Sequence, residues 1–191
     1  MLKDLSKRNR SYRKFDPSVP ISMEQLRDWV DNARYAPSSV NIQPLKYRLV
    51  ADPAICARLF PLTGWARLLP DYPGPAEGER PTAYVVICCD QSIGTNLSRF
   101  AKDVGIVAQT IMLSAVASGF GGCMIGNFVP EEVTKTLSLP SQCIPCLILA
   151  LGKPAEEIFL ETIGEDGKTA YYRDATGRHH VPKRNLEQVL I

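Results

Sequence analysis

The sequence carries no excess of either charge, no apolar run at its start, no internal repeat, no low-complexity tract and no linker-like segment. Its 22 basic and 20 acidic residues leave a net charge of +2. So even a balance excludes nucleic-acid or membrane-surface binding driven by bulk electrostatics. The opening residues include Lys3, Asp4 and Lys7 rather than the apolar core of a secretory leader, which implies a cytoplasmic chain. Its six cysteines are then expected as reduced thiols. Cys88 and Cys89 are adjacent in a strand-like run, where neighbouring side chains face opposite ways, so they are poorly placed to bond to each other. Cys143-Ile144-Pro145-Cys146 has redox-motif spacing, yet it leads into the strand-like Leu147 to Leu151 and not into a helix. With no second pair nearby, neither a redox nor a zinc role is expected.

Charge is also missing from Val104 to Pro130, long enough in principle to span a bilayer. Gln109, Thr110, Ser114 and Ser118 interrupt that stretch, however, and Gly119, Gly121, Gly122 and Gly126 end any helix partway. The pattern predicts a helix over Asp103 to Ser118, apolar nearly all round and destined for the core or a subunit interface. Asp103 suits its positive N-terminal end, and Gly119 its stop. No membrane association is expected.

What remains is an ordinary mixed sequence. At 191 residues, with 45% hydrophobic and 22% charged residues, one domain is expected. Leu2 and Leu5 fit a short opening helix. Ser22-Met23-Glu24-Gln25 has capping-box form, and Leu26, Trp29, Val30 and Ala33 continue at helical spacing to about Ala36. Met23 and Trp29 are read as core. A strand over Tyr47 to Ala51 and a helix over Pro53 to Phe60 follow. Pro61 to Pro81, which contains Pro70, is a long irregular loop around Trp65. Buried strands are expected over Ala83 to Cys89 and Cys146 to Leu151, with a strand near Cys123 to Gly126 and a helix over Pro130 to Ser138 between them. Ile158 to Ile163 and Lys168 to Tyr172 flank Gly164-Glu165-Asp166-Gly167 as a hairpin.

Two segments carry chemistry. Arg10-Ser11-Tyr12-Arg13-Lys14-Phe15 gathers guanidinium and hydroxyl donors around an aromatic anchor, which suits a phosphate or another compact oxyanion. Taken alone, the basic cluster Lys7 to Lys14 reads better as a solvated basic face or a non-specific nucleic-acid patch. Ala36-Pro37-Ser38-Ser39-Val40-Asn41-Ile42-Gln43-Pro44 is short-side-chained and bracketed by prolines, fit to hydrogen-bond a flat heterocycle or a polyol. Together they suggest a phosphorylated cofactor.

Over nearly its whole length the chain resembles the nitroreductase family of flavin mononucleotide (FMN) enzymes. The likeness rests on four motifs in order: Arg10-Ser11-Tyr12-Arg13, Pro37 to Pro44, Gly119-Phe120-Gly121-Gly122-Cys123-Met124-Ile125-Gly126, and Pro182-Lys183-Arg184. Its ending, Tyr171-Tyr172-Arg173-Asp174 followed by His179 to Arg184, resembles a short bacterial subgroup with a terminal hairpin. The resemblance implies an α+β three-layer domain, a central mixed sheet flanked by helices, in an interlocked homodimer with FMN at the subunit interface. It implies that Arg10, Ser11 and Arg13 hold the phosphate and ribityl hydroxyls, with Lys183 and Arg184 reaching the same phosphate. Pro37, Ser38, Ser39 and Asn41 would come from the partner. Met124, Ile125, Gly126 and Asn127 would lie against the flavin ring, a backbone N–H near Gly126 directed at N5.

The implied activity is NAD(P)H oxidation coupled to reduction of nitroaromatics, quinones or similar small electron-poor acceptors. Other FMN chemistry on the scaffold, or flavin binding without turnover, are the alternatives. No side chain is named as a catalytic acid or base, because such chemistry belongs to the cofactor. The sequence departs from the family where Asn9 replaces a common arginine, which would leave Arg8 to share the phosphate, and where Met124 replaces a common tryptophan. Trp65 is read either as a cover for the pocket or as ordinary core. His179-His180 resembles a metal pair only superficially, since neighbours on extended chain point apart and no carboxylate cluster accompanies them.

Overall fold

A computed structural model describes residues 1–69 and 72–191, so Pro70 of the long loop lies outside the described residues. The elements run α1 (Leu2–Arg8), β1 (Phe15–Asp16), α2 (Met23–Ala33), β2 (Leu45–Val50), α3 (Pro53–Leu59), β3 (Ala83–Asp90), α4 (Leu97–Ala117), β4 (Gly121–Ile125), α5 (Pro130–Leu137) and β5 (Cys143–Pro154), then β6 (Ile158–Thr162), β7 (Tyr172–Arg173) and β8 (His179–Lys183). The first five strands form one sheet in the order β1-β5-β3-β2, with β4 also paired to β5. Its strand pairs are antiparallel; parallel pairing enters through a bridge between Ser11 and Gly122 and through β6 with β8.

Period-two alternation on the central strands divides the interior. Tyr84, Val86 and Cys88 of β3 face one core with Ile148 and Ala150 of β5, and α3 and α5 cover it. Val85 and Ile87 face the other with Leu149 and Leu151, beneath α2 and α4. Every residue of β3 is buried, as a strand covered on both faces requires. The result is the three-layer α+β domain expected from the sequence.

Local signals account for most boundaries. The Ser22–Gln25 capping box forms with both hydrogen bonds in place and is worth about 1 kcal/mol. Asp52 accepts from the Ile55 N–H at the start of α3, where Pro53 leaves no donor unsatisfied. Gly119 takes φ +81° just after α4, the left-handed turn expected of a helix stop.

Two expectations are corrected and one open reading is decided. The charge-free helix does not begin at Asp103 but at Leu97, where Asn96 accepts from the Arg99 N–H, so Asp103 sits mid-helix and buried. The absence of charge marks only the part packed inside, while the first turns carry Arg99 and Lys102. The Gly164–Gly167 turn forms, but its flanks do not pair with each other. Instead β8 lies between β6 and β7, and the hairpin is β7–β8, closed by an Asp174–Arg178 turn in which Asp174 accepts from Thr176 and Arg178. Trp65 belongs to the core: it is 8% exposed, donates its indole N–H to Thr63 Oγ1 at 2.9 Å and packs against Phe60. Gly74 at φ +115° makes room for it, since a Cβ there would lie 2.9 Å from the indole.

Candidate functional site

The basic segment is seated by the glycine motif. Ser11 bridges to Gly122, and the Tyr12 N–H donates to the Gly122 carbonyl at 2.9 Å. A Cβ on Gly121 would meet the Tyr12 ring at 2.6 Å, and one on Gly122 would stand 2.2 Å from the Ala150 carbonyl oxygen. Glycine is therefore needed for the arginine segment and β5 to approach β4 this closely.

Between that segment, α4 and the C-terminal sheet opens a cleft of about 350 Å³. It brings together Arg10, Ser11, Arg13, Met124 and Lys183 from three separate stretches of chain. Among the described residues three cations line it and no carboxylate does. Strand alternation explains the C-terminal contribution: His179, Val181 and Lys183 face the cleft, whereas His180 faces away. Arg184, exposed past the end of β8, does not line it.

Arg13 is 7% exposed and fixed on most sides. Its Nη1 donates to the Ser11 carbonyl and to His179 Nε2, each at 3.2 Å, and its guanidinium stacks on Tyr171 at 4.7 Å. Its backbone is held as well: Glu156 accepts from its N–H, and Tyr72 donates to its carbonyl. Glu156 also accepts from Arg173 at 3.2 Å, so that carboxylate is committed. Among the described residues neither Arg10 nor Arg13 has a carboxylate ion-pair partner, and the Nε of each is buried without an acceptor. Burial presses the Arg10 guanidinium below its usual range. Two cations left this way want an anion with several acceptor oxygens.

His179 is buried, and it must accept at Nε2 because arginine only donates; the ring is therefore neutral with its proton on Nδ1. Burial, then the charges of Arg13 and Arg173, pull it down to about 4. Contrary to expectation, two carboxylates do accompany the second histidine. Asp174 Oδ2 lies 3.1 Å from His180 Nε2, and Glu161 Oε1 lies 2.9 Å from Nδ1, the latter too poorly aligned for a hydrogen bond. The ring is also stacked between Phe159 and Tyr172. Even so, no group of three or more potential ligands is placed to hold a metal among the described residues.

Other candidate residues sit elsewhere. Pro37, Ser38, Ser39 and Asn41 do not line the cleft. Their loop is held to α4 by buried Asp103, which accepts from Ser38 Oγ at 2.7 Å and the Ser39 N–H at 2.9 Å. Val40, Asn41 and Gln43 all take positive φ there, a strain of about 1–3 kcal/mol each that this clamp helps sustain. Ile125 is in the core, and Asn127 packs over Gly64, whose N–H donates to the Asn127 carbonyl. Gly126 is exposed, with open space where a Cβ would stand. Met124 is 38% exposed at the cleft. Arg8 does not share the anion: it pairs with Asp4 and reaches the Val116 carbonyl, while Asn9 donates to Gln109. All six cysteines are free thiols, and burial raises each of them, Cys88 to about 12.

The profile described as "Nitroreductase family" matches residues 7–153. The chain belongs to the nitroreductase family. It is 27% identical over 189 residues to YdgI of Bacillus subtilis, whose name places it among the NAD(P)H nitroreductases, covering 81% of this chain and 88% of that protein. A protein of Exiguobacterium sibiricum solved in complex with FMN superposes with a TM-score of 0.68 at 21% identity, covering 82% of this chain and 89% of that one. CLA-ER, a gut-bacterial enone reductase, matches with a TM-score of 0.67 at 25% identity, over 88% of this chain and 95% of its own. These nitroreductase relatives share the scaffold that carries the cleft.

Glu156 is found only in the structure, and the roles of Asp103, Tyr171 and His179 emerge only there. The sequence places Asp103 at a helix start and gives no sign that it clamps the Pro37–Asn41 loop. The others gain their meaning from contacts across the chain, which no local pattern records.

Proposed function

We propose that this nitroreductase-family chain is an FMN-dependent NAD(P)H oxidoreductase that reduces nitroaromatics, quinones or similar electron-poor acceptors. The observation that carries the proposal is the cleft in which Arg10 and Arg13 keep buried Nε donors beside Ser11 and Lys183, with no carboxylate in the lining. That donor set fits a dianionic phosphate. Arg10, Ser11, Arg13 and Lys183 would hold the phosphate, and Met124 would meet the ring. When bound, FMN supplies hydride acceptance and donation at N5.

The chain's own part is to bind and orient. Arg13 is preorganised by Ser11, His179 and Tyr171, so little reorganisation accompanies anion binding. Neutral His179 spares the phosphate a titrating neighbour above about pH 4. Exposed Gly126 leaves its backbone open to a planar group. The Pro37–Asn41 loop, clamped by Asp103 but away from this cleft, completes the site from a second subunit. The match to CLA-ER favours one further reading, enone reduction on the same bound flavin.

The test is anaerobic mixing of the purified, FMN-loaded protein with NADH or NADPH, followed by a nitroaromatic, a quinone and an enone in turn. Bleaching of flavin absorbance near 450 nm and its recovery on adding acceptor are expected. Bound flavin that neither nucleotide bleaches would leave a binder without turnover and defeat the proposal.

A further inference from the structure

A second cleft, of about 260 Å³, shares no lining residue with the first. It lies between the Pro17–Pro20 segment, α3 and the approach to β3. Arg80, Thr82 and Tyr84, on the bent approach to β3 and its second residue, all line it. Each carries a buried polar atom with no partner among the described residues: Arg80 Nε, Thr82 Oγ1 and Tyr84 Oη. Buried polar groups are almost always hydrogen-bonded, and three orphans on one cleft require an explanation.

Their chemistry is one-sided. Tyr84 is 0% exposed and burial raises its phenol, so the hydroxyl stays protonated and donates. The Arg80 guanidinium stacks on Phe60 at 4.3 Å, which fixes its plane and leaves its edge of N–H donors for an in-plane acceptor. Thr82 offers a second hydroxyl, and its carbonyl already accepts from the Cys56 thiol. Among the described residues no lining side chain bears a carboxylate. The remaining walls are apolar and stiff, with Pro17, Pro20, Pro53 and Ala57 among them. The occupant must therefore bring acceptor oxygens, a negative charge and a small hydrophobic body. The volume lies at the lower limit for ligand sites, which excludes anything as large as a nucleotide.

We propose that this cleft binds a small monocarboxylate with a compact apolar body, its carboxylate received by Arg80, Tyr84 and Thr82. The site is separate from the flavin cleft and does not depend on the reading given to it.

Isothermal titration calorimetry tests this with cyclohexanecarboxylate as probe, on protein held in excess FMN so that the first cleft is occupied. Cyclohexanecarboxamide is the uncharged control. The carboxylate is expected to bind once per chain with a Kd of about 1 mM or tighter, and the carboxamide to give no heat. Arg80→Met should weaken binding about tenfold or more, because it removes a charge-assisted pair. Tyr84→Phe keeps the ring packing and should weaken it about threefold to tenfold, so the proposal remains testable if Arg80→Met does not fold. No heat from the carboxylate at about 10 mM, equal binding by the carboxamide, or binding unchanged in both variants would overturn it.

Discussion

Replacing Arg13 by methionine separates a residue that holds the fold from one that waits for an anion. The change keeps much of the apolar stem and removes a guanidinium that is 7% exposed. In the flavin-free protein the losses are a donor to buried His179 Nε2, about 1–3 kcal/mol, and the stacking on Tyr171, about 1 kcal/mol. Against them stands relief from a buried cation with no carboxylate partner, itself worth several kcal/mol. The two sides nearly cancel, so unfolding stability in urea should shift by less than about 2 kcal/mol. Affinity for FMN has no such compensation. A charge-assisted hydrogen bond contributes about 1.5–3 kcal/mol, which is about 10–150-fold in Kd. Quenching of flavin fluorescence on titration reads that number directly. Arg8→Met is the control, since Arg8 is paired to Asp4 outside the cleft and should alter Kd less than about twofold. If Arg13→Met binds FMN within about threefold of the parent, or Arg8→Met loses as much, the assignment of the cleft is refuted.

Three further outcomes follow from the same geometry. His179 has its pKa lowered from 6.5 to about 4, so below pH 6.5 the unfolded chain takes up a proton that the native state refuses. Stability of the flavin-free protein should therefore fall by about 3 kcal/mol as pH drops from 7 to 4, beyond the decline shown by His179→Gln in the same urea titrations; equal slopes would contradict the buried neutral ring. Asp103→Asn replaces an acceptor of two donors by a group that also donates, and should cost about 1–3 kcal/mol and expose the Pro37–Asn41 loop to limited proteolysis. Gly122→Ala would press a methyl against the Ala150 carbonyl oxygen and should cost about 3 kcal/mol or more, whereas Gly126→Ala should be nearly neutral in thermal unfolding.

Much of the fold was legible because its signals are local. The Ser22 capping box, Asp52 before Pro53, the continuous apolar strand at Ala83 and Gly119 after α4 each act within a few residues. The start of α4 was not legible, because Arg99, Lys102 and Asp103 break the charge-free pattern in its first two turns and only the Asn96 cap marks its beginning. The hairpin failed for a related reason. Gly164–Gly167 makes a turn, but whether its flanks pair depends on β8, which arrives later in the chain and takes both partners. At the site, Arg10, Ser11, Arg13 and Lys183 were readable by type and motif, and the structure brings them to one cleft. Arg184 is left outside by the alternation of β8. His179, His180 and Trp65 could not be assigned from neighbours in sequence, since burial and partners from distant segments decide their roles. Arg80, Thr82 and Tyr84 drew no notice for the same reason: a missing hydrogen-bond partner is visible only once every neighbour is in place.

Comparing the affinities of FMN and riboflavin, which differ only by the phosphate, probes the anion cradle most directly. Fluorescence titrations at one ionic strength should give a riboflavin Kd at least about a hundredfold weaker, reflecting buried Arg13, half-buried Arg10 and Lys183 on one dianion. Riboflavin bound as tightly as FMN, or neither bound at all, would show that Arg10 and Arg13 serve some other purpose.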